Sequence, residues 1–277
     1  MIHVALAALV LLYTPVLYEL VGVWWRVSYF NYGFLIPAFS AWLVWESRAE
    51  LARAARTRWR PGLGVIAAGL ALLAAGVGAE SLMLRALSIP VVVTGIGLFA
   101  LGPVGFRAFA FPAAFLVFMA PLPDRAITAV SLPLQQLAAT SATVALNAIG
   151  IPSIQSGLFI TLPAVVLHVE ESCNGLRFLL AMLVVGVAFG WLTQRTPGRR
   201  AAVVAVAIVA AITANIIRVT GTGVVAHYLG REAATGVAHL AYGKVVYLVM
   251  MVPFVATVLL LRRATPSGAP ARIRSRP

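Results

Sequence analysis

The sequence predicts an all-α polytopic integral membrane protein, with about eight transmembrane helices and a mid-chain segment on the outer side. Three observations predict it. Of 277 residues, 61% are hydrophobic and only 10% charged, and the mean hydropathy is +0.97. A soluble domain carries about 45–50% apolar and about 25% charged residues. Apolar runs of helix length recur along the chain, separated by Pro, Gly and Arg. The arginines gather in short clusters between those runs, the pattern of membrane topology signals. A soluble enzyme, a disordered chain and a collagen-like chain are excluded. The net charge of +13 raises nucleic-acid binding, but the placement of the basic residues assigns it to topology instead.

The expected spans are 3–22, 33–47, 62–79, 87–106, 108–120, 175–193, 201–219 and 240–261. The first has no basic segment before it and no cleavage site ahead of Trp24 and Trp25, so it reads as a retained helix. The second runs into Arg48, Arg53, Arg56, Arg58 and Arg60. Glycines at 62, 64, 95, 97, 221 and 223 read as close helix packing or turns, not as a phosphate cradle. The fifth span is short, which suits a tilted or re-entrant segment. The seventh follows Arg195, Arg199 and Arg200, and the eighth precedes Arg262 and Arg263. Placing these clusters, the tail arginines and Arg107 on the cytoplasmic side puts fourteen basic residues inside and seven elsewhere, so both termini are expected inside. Residues 1–263 are read as a single membrane-embedded domain and 264–277 as a basic, disordered cytoplasmic tail.

The stretch between spans five and six then lies on the outer side. Ala126 to Ile149 mixes apolar residues with Gln135, Gln136, Thr140, Ser141 and Asn147, which suits a helix at the interface or lining a polar cavity. Ile151 to Val169 gathers β-branched residues between turn formers and predicts a short extended or hairpin-like segment.

Glu170-Glu171-Ser172-Cys173-Asn174-Gly175-Leu176-Arg177 is the densest polar cluster, directly before the sixth span. Cys173 is the one cysteine, so no intramolecular disulfide or multi-Cys zinc cage exists. A thiol near a helix N-terminus feels the positive end of the macrodipole, and nearby Arg also favours the thiolate. The plain alternative is a small buried Cys that only packs. Arg218 ends the seventh span, where an arginine snorkels to the surface or finds a partner. His239 opens the eighth span and by itself reads as a helix-end polar residue. The expected topology brings all three to one membrane face, where they supply a nucleophile, an anion stabiliser and a proton carrier. His227, in the expected outer loop, is an alternative base. Glu171 and Arg177 pair only if the backbone turns at Gly175; otherwise they serve capping and topology. The four scattered His lack a two-His helical spacing, so no metal site is expected.

These residues resemble the motifs of exosortases, in the exosortase/archaeosortase family. Glu171-Ser172-Cys173-Asn174-Gly175-Leu176-Arg177 resembles its Cys-centred motif, Asn215-Ile216-Ile217-Arg218-Val219 its Asn-x-x-Arg motif, and His239-Leu240-Ala241-Tyr242-Gly243 its His-x-x-x-Gly motif. Tyr32-Gly33-Phe34-Leu35-Ile36-Pro37 and Met119-Ala120-Pro121-Leu122-Pro123 are similar to flanking stretches of the family. Asn174, Lys244 and Tyr32 stand where the family often has Ser, an aromatic and His.

The resemblance implies a cysteine endopeptidase and transpeptidase of the bacterial inner membrane, its site facing the periplasm. The implied substrates are exported proteins with a C-terminal tripartite signal: a Pro-Glu-Pro-type motif, a transmembrane helix and a basic tail. Cys173, Arg218 and His239 are the implied catalytic groups, with Glu171, Asn174, Arg177 and Asn215 binding substrate or supporting. An acyl acceptor is implied, and no cofactor is required. The competing readings are a transporter or channel-like protein, from its intramembrane polar residues and broken spans, and a polysaccharide-export component with Cys173 inert.

Overall fold

Apolar segments with no polar face must satisfy their backbone groups internally, and helices are what this chain forms. The computed structural model describes residues 2–54, 58–169, 175–234 and 237–263. They divide into two units, Met1–Pro123 and Asp124–Pro277. The expected tail, 264–277, lies outside the described residues.

The first unit holds α1 (Ile2–Arg26), a 3₁₀ segment (Ser28–Phe34), α2 (Leu35–Glu46), α3 (Arg48–Arg53), α4 (Pro61–Gly78), α5 (Leu82–Phe106), α6 (Ala110–Phe115) and a second 3₁₀ segment (Leu116–Met119). Small residues let α4 and α5 approach closely. A Cβ on Gly62, Gly69 or Gly76 would stand 2.6–2.7 Å from Phe99, Val92 and Arg85 of α5 respectively. Gly95 and Gly97 are as tightly packed, as expected, whereas Gly64 faces open space. α1 is tied to α5 by the paired hydroxyls of Tyr13 and Ser88 at 2.9 Å and by an ion pair of Arg85 with Glu19 at 2.8 Å. The stretches at 32–37 and 119–123 meet at Trp24. Its indole N–H donates to the Met119 carbonyl at 3.1 Å, and its ring lies over Gly33.

The second unit holds α7 (Asp124–Ala148), three short strands β1 (Ile154–Ser156), β2 (Phe159–Thr161) and β3 (Val166–His168), then α8 (Leu176–Thr193), α9 (Pro197–Ala234) and α10 (Val237–Arg263). The strands form an antiparallel sheet in the order β1-β2-β3, two successive hairpins where a short extended or hairpin-like segment is expected. α9 packs on α7, α8 and α10. Met182, Val203, Ala207, Phe254 and Val258 fill the core among α8, α9 and α10. A second core joins Ala138, Ala142 and Leu146 of α7 to Ile151, Ile160, Val219 and Ala226. That second core builds a cap from α7, the sheet and the far end of α9.

Among the described residues, five helices are long and apolar enough to cross a membrane: Pro61–Gly78, Leu82–Phe106, Leu176–Thr193, Pro197–Gly230 and Val245–Arg262. The number is six if Ala110–Met119 and Asp124–Ala148 count together as one broken span. The polytopic helical class stands, and the count of eight is not confirmed among the described residues. α2 has 12 residues, a rise of about 18 Å against a hydrocarbon core of about 30 Å. The seventh span is longer than expected. Its apolar helix runs 34 residues to Gly230, about 51 Å, longer than a hydrocarbon core of about 30 Å, and its far end, with Val219 and Ala226, packs in the cap core. His227 therefore lies in a helix, not in a loop.

Candidate active site

Three helices of the second unit change character at one level. α8 begins after Gly175, whose φ of +75° is a left-handed conformation that glycine adopts freely. Its carbonyl accepts from the Phe178 and Leu179 amides at 3.1 and 2.9 Å and so starts the helix. This is the turn on which pairing of Glu171 with Arg177 depends; Arg177 itself is exposed. Gly175 also abuts α9, because a Cβ there would stand 2.7 Å from Asn215 Cγ. One turn on, Tyr242 of α10 donates its hydroxyl to the Ile217 carbonyl at 3.3 Å, and its ring covers Gly221. The Cys-motif glycine thus touches the Asn-x-x-Arg turn through the Asn215 side chain, and the His-motif segment touches it through the Tyr242 side chain.

Arg218 lies within this junction, only 7% exposed, and Asn215 is 4% exposed. Protein covers the arginine, which does not snorkel outward. Across from it on α10, Tyr247 interacts electrostatically with the guanidinium and stacks on Phe178 of α8 with the rings 16° from parallel. The Tyr247 hydroxyl is buried with no hydrogen-bond partner among the described residues. Tyr242 and Tyr247 were not singled out from sequence. The signal available was a pair of hydroxyl-bearing rings following His239 at the start of an apolar run.

Beside this junction α7, α8 and α9 wall a narrow, mainly apolar crevice lined by Leu134, Leu137, Leu179, Ile212, Gly175 and Asn215, with too little free space to admit a side chain as it stands. No group of three or more His, Cys, Asp or Glu that could hold a metal occurs among the described residues.

Glu170, Glu171, Ser172, Cys173 and Asn174 lie outside the described residues. The backbone of His239 belongs to the first turn of α10, one turn before Tyr242. His227 sits nine residues beyond Arg218 on α9, about 13 Å along the axis and half a turn round it, so it does not share the arginine's face. His168 is engaged elsewhere, stacked on Phe159 across β2 and β3 with ring centres 4.5 Å apart.

Comparison with known proteins adds one match. The family described as "Transmembrane exosortase (Exosortase_EpsH)" matches residues 24–256. No curated protein matches the chain, and no solved structure does.

Proposed function

Since the chain belongs to the transmembrane exosortase family, membrane proteins that process sorting signals, we propose that it is a cysteine protease and transpeptidase acting at the outer face of the bacterial inner membrane. Its substrates on this reading are exported proteins with a C-terminal Pro-Glu-Pro-type signal. The observation that carries the reading is the meeting of three motif segments at one level: Gly175 against Asn215, and Tyr242 on Ile217, around a buried Arg218.

The chemistry follows from residue types. The Cys173 thiolate attacks the scissile carbonyl carbon, and the negative charge that develops on the carbonyl oxygen faces the Arg218 guanidinium. Burial favours such a role, since a fixed donor in a water-poor site stabilises developing charge without reorganising. The C–N bond then breaks, the leaving amine takes a proton from His239, and a thioester to Cys173 remains. An acceptor nucleophile gives its proton to His239, attacks the thioester and releases the thiolate. Covalent catalysis thus divides one difficult transfer into two easier ones. Asn215 holds the Gly175 turn, while Glu171, Asn174 and Arg177 flank the nucleophile.

The test is coexpression of a tagged Pro-Glu-Pro-signal reporter with the wild-type chain or with Cys173→Ala. Cleavage confined to the wild type is the expected outcome; cleavage with both would remove Cys173 from the mechanism.

A further inference from the structure

The small sheet of the cap has two edges, β1 and β3, and the ladder shows which groups on β3 point outward. The pairs Leu162 with Val165 and Leu158 with Val169 are hydrogen-bonded across β2 and β3, at 2.8 and 2.9 Å for the shorter bonds. Antiparallel pairs alternate between bonded and non-bonded. Between those two, Ile160 with Leu167 is therefore bonded, while Thr161 with Val166 and Phe159 with His168 are not. The N–H and C=O groups of Val166 and His168 consequently point away from β2, out along the free edge of β3. No described residue hydrogen-bonds them.

α7 packs against β1 and β2, and Ile160, Leu162 and Val169 anchor the sheet in the cap core, so the edge is held in place through its neighbours. Its outer face presents Ile154, Phe159 and Val166, all exposed. An edge so held, with unpaired backbone groups and an exposed apolar face, is a template for an added strand. His168 precedes Cys173 by five residues, at most about 17 Å of extended chain.

We propose that the edge of β3 docks an extended segment of the polypeptide substrate, just upstream of the bond that Cys173 attacks. β3 precedes Cys173 in the chain, and on this proposal the substrate segment runs parallel to it, with its downstream end toward the thiol. Val166 and His168 supply the backbone pairing, and the Phe159–His168 stack and Val166 lie beside alternate side chains of the substrate. The proposal rests on reading Cys173 as the nucleophile.

Proline tests it cleanly, because it removes an N–H and is tolerated on an edge strand where that N–H faces outward. Val166→Pro and His168→Pro each delete an outward donor of β3 and leave the β2–β3 ladder intact. Gln155→Pro deletes the corresponding outward donor of β1, on the opposite edge. In the full-length protein with the Pro-Glu-Pro-signal reporter, the β3 variants are expected to lose cleavage tenfold or more, and the β1 variant less than threefold. The alkylation rate of Cys173, the single thiol, stays unchanged in all three. Cleavage at the wild-type rate in His168→Pro overturns the docking edge while leaving the protease intact. Cleavage that persists in Cys173→Ala overturns the protease reading itself. A measurement independent of turnover is disulfide trapping of Val166→Cys, in a Cys173→Ala background, with reporters carrying one cysteine each. Trapping at every second reporter position upstream of the signal supports the added strand; no trapping at any position counts against it.

Discussion

Gly175 lies so close to Asn215 that a single methyl group on the glycine would meet the amide carbon at 2.7 Å. The contact joins the start of α8 to the middle of α9, two residues after the candidate nucleophile. Gly175→Ala therefore carries two penalties: strain at φ +75°, about 1–3 kcal/mol for a residue other than glycine, and a collision. Reporter cleavage is expected to fall at least tenfold. Asn215→Ala in the same chain removes the amide but leaves Cβ 2.9 Å from the new methyl, so it relieves the collision only in part and not the strain, and thermal unfolding of the double variant in detergent is expected to fall modestly short of simple additivity.

Arg218→Lys keeps the charge but loses the planar fork of donors. On the proposed mechanism it lowers the cleavage rate by about 10²–10³-fold, the usual worth of one oxyanion donor. Alkylation of Cys173 at the wild-type rate would show that the fold persists. A Lys variant that cleaves normally would restrict Arg218 to structural support.

The Tyr242 ring fills the space over Gly221, its hydroxyl being the nearest group. Gly221→Ala is expected to destabilise the second unit by about 1–3 kcal/mol through overpacking. Tyr242→Phe alone removes the bond to Ile217, about 0.5–1.5 kcal/mol. Combined, the two changes relieve each other, and detergent-phase melting of the double variant lies above that of Gly221→Ala.

Tyr247→Phe retains the stack on Phe178 and discards a buried hydroxyl that has no hydrogen-bond partner among the described residues. A buried polar group left unsatisfied costs about 1–3 kcal/mol. The variant is therefore expected to be at least as stable as the wild type by thermal unfolding. A drop in reporter cleavage without a drop in stability would assign the hydroxyl to the reaction.

Much of this was legible in the chain because hydropathy and breakers report directly on helix ends. α4, α5 and α8 fall within a few residues of the expected spans, and the stretch between spans five and six does form a long helix followed by strands. The end of α9 was not legible. Thr220, Gly221, Thr222 and Gly223 lower the hydropathy after Arg218, yet the helix continues because Val219 and Ala226 are buried in the cap core. The count of eight spans is not confirmed, and one reason is that α2, though mostly apolar, is too short to cross as a straight helix. At the site, topology alone leads to the expectation that the three motifs share one face. The seating of Asn215 on Gly175 and the roles of Tyr242 and Tyr247 depend on packing between helices distant in sequence, which no local pattern encodes.

The unbroken length of α9 also sets a rule for recombination within the family. A helix turns about 100° per residue, and no departure from helical geometry occurs between Arg218 and Gly230, where φ reaches +82°. Inserting or deleting one residue between Val219 and Ala226 would swing the cap-facing side chains away from α7 while Arg218 stayed in place. Chimeras that exchange the cap must therefore conserve the helical phase of α9, or place their joint beyond Gly230.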